Sequence, residues 1–111
     1  MSTVVQVSHG ADFFGADHYD PAALHQVAAY ATGTLPADGR DQLVRLLEHA
    51  TETEHEVPAD QAVVMAGQLR RIARSRYTRP KVAAWAMRLG DAAARAGADG
   101  EPWTWTPTTA A

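Results

Sequence analysis

Leu69-Arg70-Arg71-Ile72-Ala73-Arg74-Ser75-Arg76-Tyr77-Thr78-Arg79-Pro80-Lys81-Val82 is the stretch on which the fold reading turns. Before it, Ala62, Met65, Ala66, Leu69, Ile72 and Ala73 recur at the period of a helix with one apolar face. After it, Pro80 takes a favoured first helical position, and Val82, Trp85, Ala86, Leu89, Ala92, Ala93 and Ala96 make the strongest apolar stripe in the chain. The stretch therefore reads as a hinge between two amphipathic helices, predicted over residues 58–76 and 80–96.

Toward the N-terminus, Asp20 and Pro21 supply a capping residue and a first-turn proline for a helix over 20–33, which Gly33 stops. Another helix is predicted over 37–51, with Leu43, Leu46, Leu47 and Ala50 as its stripe. Thr51 to Val57 is acidic and predicted to fray into a loop before Pro58. Residues 3–8 are β-prone, and residues 9–20 read as an irregular loop anchored by Phe13 and Phe14. In the tail, Glu101-Pro102-Trp103-Thr104-Trp105-Thr106-Pro107 alternates aromatic and Thr, which puts Trp103 and Trp105 on one face of an extended segment. That segment is expected to lie over the helices or to pair with residues 3–8, and residues 106–111 are predicted to be disordered. The expected fold is thus mainly α. It is a single four-helix domain over 1–111 with short extended ends that make at most a minimal strand pair. The predicted core is Leu24, Val27, Leu43, Leu47, Met65, Leu69, Ile72, Val82, Trp85 and Leu89.

With 23 Ala and only eight Phe, Trp or Tyr among 111 residues, helices approach closely but each buries little area, so the few large side chains matter most. There is no Cys, which excludes disulfides, thiolate metal sites and Cys nucleophiles. The N-terminus lacks a signal-peptide pattern, no apolar run is long enough to span a membrane, and a cytoplasmic location is expected.

Net charge is −3, but the sign is unevenly distributed. Residues 9–60 carry ten acidic groups against two Arg, whereas residues 70–95 carry eight basic groups against one Asp. The two halves either pair with each other or present a polarised surface to a partner. Arg70, Arg71, Arg74, Arg76, Arg79 and Lys81 are the candidate anion- or partner-binding residues. Arg79 and Lys81 stand at a helix N-terminus, where the dipole disfavours cations by about 0.3–1 kcal/mol and free N–H groups attract oxygen acceptors. The bland alternative is that these cations pair with Glu48, Glu52, Glu54 and Glu56 or are simply solvated. A helix–turn–helix DNA reader is disfavoured, because the outward face of the last helix (Ala84, Met87, Arg88, Asp91, Arg95) offers no Asn, Gln or Ser to read bases. Non-specific nucleic-acid contact through the hinge remains a weaker alternative.

Two further constellations carry chemistry. Glu48, Glu52 and His55 share a face if the second helix runs that far, and a Glu-x-x-His pattern is a metal-ligand spacing; a lone copy is a weak signal. The segment with His9, Asp12, Asp17, His18 and Asp20, followed by His25, is rich in imidazole and carboxylate. If the protein is a metal-dependent or acid–base enzyme, His9, Asp12 and His18 are its candidates. No nucleophile triad, phosphate loop, dinucleotide fingerprint or cofactor motif is present. The leading expectation is a non-enzymatic interaction module whose partner is a protein, a second copy or an anion. Ser8-His9-Gly10-Ala11-Asp12-Phe13-Phe14-Gly15 and Glu101-Pro102-Trp103-Thr104-Trp105 resemble segments of short uncharacterised proteins from high-GC actinobacteria, a resemblance that implies no activity and no residue roles.

Overall fold

The computed structural model describes residues 2–9 and 15–110. Four helices form where the apolar period placed them: α1 (Pro21–Thr34), α2 (Asp41–Glu48), α3 (Ala59–Arg74) and α4 (Pro80–Asp99). Four strands accompany them: β1 (Ser2–Ser8), β2 (Ala16–Tyr19), β3 (His55–Val57) and β4 (Trp103–Ala110). The strands make one antiparallel sheet in the order β2-β1-β4-β3. The mainly-α expectation is therefore corrected to an α/β domain, in which the helices lie against a full sheet rather than beside a minimal strand pair.

The reason lies in the tail. Trp103 and Trp105 are both fully buried and meet edge to face, with ring centroids 5.1 Å apart. Trp103 Nε1 donates to the Ser8 carbonyl at 3.0 Å, which ties β4 to the end of β1. Burying such rings outweighs the entropy of ordering the residues that carry them. Residues 106–110, predicted to be disordered, instead continue β4 and pair with β1 from Ser2↔Ala110 to Gln6↔Thr106. The alternation is visible in burial: Val5 and Val7 face the helices while Gln6 is exposed.

The helix limits also shift. α2 starts at Asp41 because Gly39, at φ +85°, first turns the chain, and it stops at Glu48. α1 runs through Gly33 to Thr34, and Arg40 Nη1 donates to the Thr32 and Leu35 carbonyls at its end. α4 extends to Asp99 and closes on Gly100, at φ +69°. Phe13 and Phe14 lie outside the described residues.

α3 and α4 form the tightest pair, and two glycines of α4 explain the approach. A Cβ on Gly97 would collide with Val63, and one on Gly90 would press on the Ala66 carbonyl and the Leu69 side chain. The pair is antiparallel, joined by a short turn in which Thr78 is buried and its hydroxyl donates to the Ile72 carbonyl at 2.8 Å. All predicted core residues are buried except Trp85, which packs on the core only partly and carries Lys81 Nζ 5.4 Å above its ring.

Candidate functional site

The hinge cations fall at one end of the α3–α4 hairpin. α3 is 16 residues long, about 24 Å, and it separates the hinge from the acidic segment Glu52, Glu54, Glu56 and Asp60 at its other end. Acid at the N-terminus and base at the C-terminus follow the dipole of α3. The two charge poles consequently do not neutralise each other within the chain. Among the described residues the hinge makes one ion pair, Arg70 Nη2 to Asp91 Oδ1 at 3.2 Å. Asp91, expected beside Arg88 and Arg95, is thus engaged by the neighbouring helix.

Arg71 and Arg74 are exposed and make no ion pair among the described residues; with Thr34, Gly67 and Ser75 they line a surface cavity of about 570 Å³. Arg76 donates to the Tyr77 hydroxyl at 2.9 Å and lies 5.0 Å from that ring's centroid. Tyr77 is 77% exposed, the most exposed large apolar side chain described. Arg79 and Lys81 flank the first turn of α4, both exposed. Across Gly67 a smaller hollow of about 270 Å³ adds Leu35, Val64 and Gln68. Gln68 donates to the Gly39 carbonyl at 2.8 Å, and its own Oε1 is buried without a partner. The arrangement can hold oxygen acceptors by charge and by guanidinium forks, with an exposed ring beside them.

The other sequence candidates are dispersed. His9 Nε2 lies 2.9 Å from Asp17 Oδ2, both partly buried, a pairing set by the β1–β2 register in which Val7 faces Asp17. His9 also lines a cavity with Arg70, Asp91 and Asp99. His18 is one residue on from Asp17 and therefore on the opposite, exposed side of the sheet, so it does not join His9. Asp12 lies outside the described residues. Tyr19, beside Asp17 on the inner face, keeps its hydroxyl buried without a hydrogen-bond partner. Burial first, then the negative charge of Asp17, push that phenol above its ordinary range, with Arg88 acting the other way.

The Glu48, Glu52, His55 face does not form, because α2 ends at Glu48 and the chain turns. Glu52 Oε1 lies 3.0 Å from His49 Nδ1, and His55 Nε2, in β3, lies 3.1 Å from the His49 carbonyl. Among the described residues no group of three or more His, Cys, Asp or Glu side chains is arranged to hold a metal ion. No helix there is long and apolar enough to cross a membrane. Sequence reasoning missed the parts that are neither charged nor core: Tyr77, Gln68, and the exposed pair Val63 and Val64. The two valines stand on the polar side of an otherwise regular stripe, and that anomaly was the available signal.

A family model described as "Domain of unknown function (DUF7739)" matches residues 10–106, and the chain belongs to that family. No curated protein and no solved structure matches it.

Proposed function

We propose that the domain is a non-enzymatic interaction module that docks an acidic protein surface on the hinge end of α3–α4. The observation that supports this reading is the gathering of Arg71, Arg74, Arg76, Arg79 and Lys81 at one pole, with none of them in an ion pair among the described residues and the chain's own acidic segment a helix length away. Long-range attraction of this kind steers encounter and weakens with salt. An acidic protein is favoured over nucleic acid because the cations are confined to one end of the hairpin, which suits a local carboxylate patch, whereas a long phosphate backbone would run past them along a chain of net charge −3. The test is retention on immobilised poly-glutamate and on immobilised DNA at low salt. The wild type is held by poly-glutamate and released by salt, and Arg71, Arg74, Arg76 and Arg79 replaced together by Gln abolish retention. Unchanged retention of that variant overturns the reading; retention by DNA alone replaces the acidic protein with nucleic acid.

A second reading, acid–base chemistry, is supported by the His9–Asp17 pair at the edge of the Arg70–Asp91 cavity. A carboxylate that orients an imidazole is the common core of general-base sites. Hydrolase activity toward a panel of generic esters and phosphoesters, lost in His9→Ala and reduced in Asp17→Asn, is its expected signature; an inactive wild type overturns it.

A further inference from the structure

The solvent side of α3 carries a pattern that extends beyond the anion-docking cluster, with which it shares Arg71 and Arg74, and beyond the contact of Val63 with Gly97 of α4. Its six exposed residues are Asp60, Val63, Val64, Gly67, Arg71 and Arg74, and they fall in one stripe at the three- and four-residue spacing of a packed helix seam. Val63 and Val64 are 55% and 52% exposed, although β-branched apolar residues gain nothing from facing water. Between the valines and the arginines stands Gly67. Gly97 is required by the contact between α3 and α4, and Gly90 lies close against it, but a Cβ on Gly67 would meet nothing within 4 Å. A glycine inside a helix weakens it, so its position at the centre of an exposed seam calls for a neighbour outside the chain.

The charges say which neighbour. Asp60 lies seven residues before Gly67 and Arg74 seven after it, about 10.5 Å away on either side along the axis. The stripe is therefore complementary to its own reverse. We infer that α3 pairs antiparallel with α3 of a second copy of the chain, the two helices crossing at Gly67. In that arrangement Asp60 of each copy faces Arg74 of the other, twice by symmetry, and Val63 and Val64 cover the aliphatic stem of the facing Arg71. The missing side chains at the two Gly67 positions let the backbones approach, as Gly90 and Gly97 do within the chain. Arg74 is available for this because it makes no ion pair among the described residues. Arg76, Arg79 and Lys81 lie beyond the end of α3 and outside the contact, whereas Arg71 and Arg74 belong to both surfaces, so the two readings are separated through Asp60, which only the seam uses.

The experiment is sedimentation equilibrium of the full chain over a concentration series, with charge exchange at the two ends of the seam. The wild type is expected to show a monomer–dimer equilibrium with a dissociation constant in the micromolar range. Asp60→Arg and Arg74→Asp, each of which sets like charges face to face, weaken it by about tenfold or more. The double variant, which restores opposite charges, recovers the wild-type constant. Helix content by circular dichroism confirms that each variant is folded, and either single variant suffices for the rescue comparison. A wild type that stays monomeric up to about 1 mM, singles that dimerise as the wild type does, or a double variant that fails to recover overturns the inference. Retention on poly-glutamate is read on Asp60→Arg in parallel. That variant keeps every hinge cation, so loss of the dimer with retention intact separates self-pairing from anion docking although the two share Arg71 and Arg74.

Discussion

Val63 occupies the space that a side chain at Gly97 would need. Gly67, four residues along the same helix as Val63, faces open space. The two glycines thus do opposite things in the monomer, and replacing each by alanine separates them. Gly67→Ala is expected to stabilise the isolated chain by about 0.5–1 kcal/mol through helix propensity and reduced unfolded-state entropy. Gly97→Ala gains the same propensity but forces α3 and α4 apart, a net loss of about 1–3 kcal/mol. Urea denaturation at dilution, where the chain is monomeric, reads both signs.

The turn between α3 and α4 hangs on Thr78. Its hydroxyl satisfies the Ile72 carbonyl within a buried setting, and Val is nearly the same shape without the donor. Thr78→Val is expected to cost about 0.5–1.5 kcal/mol, the net worth of the lost bond, because the Ile72 carbonyl still accepts the Ser75 N–H at 3.2 Å. A loss within 0.3 kcal/mol or so, measured by thermal melting, would mean that water replaces the bond.

The tail is structural. A chain ending at Gly100 loses β4, and with it both Trp side chains and the partner of β1 and β3. It is expected to lose cooperative unfolding altogether. Removing only residues 106–111 leaves Trp103 and Trp105 but strips most of the β1 ladder, and should lower stability by several kcal/mol. Heat-capacity scans of the two truncations check this.

Tyr19 gives the domain an alkaline limit. Burial raises its phenol in the folded state above the ordinary tyrosine value of about 10, so the folded chain holds a proton that the unfolded chain releases above that pH. The stabilising contribution is complete below about pH 10 and is lost as pH rises beyond it, with a slope approaching about 1.4 kcal/mol per pH unit. Tyr19→Phe removes a buried hydroxyl that has no partner, so it is expected to raise stability at neutral pH by about 1 kcal/mol and to flatten the alkaline limb. Denaturant midpoints from pH 8 to pH 11 for both proteins decide it.

The helices were legible in the sequence because period, Pro21, Pro80 and the valine–leucine–alanine stripes all act locally. The sheet was not. β2 and β3 have four and three residues, too few for an alternation to show, and both are held only by register with β1 and β4. The hinge cations were legible as charge, yet their freedom from the acidic segment depended on the length and direction of α3. The pairing of His9 with Asp17 rather than with His18 depended on strand parity, which the sequence-based reading of residues 9–20 as a loop concealed.

Ser2 pairs with Ala110, so the central strands of the sheet come from opposite ends of the described chain. The helical hairpin α3–α4 can form from neighbours in sequence, but β1 has no partner on its β4 side until the last strand arrives. Closing the sheet demands a loop that runs through all four helices, and folding should accordingly divide into a fast helical phase and a slower closure step. During synthesis β1 waits with an open edge until β4 has left the ribosome, the interval in which this domain is most exposed to mispairing.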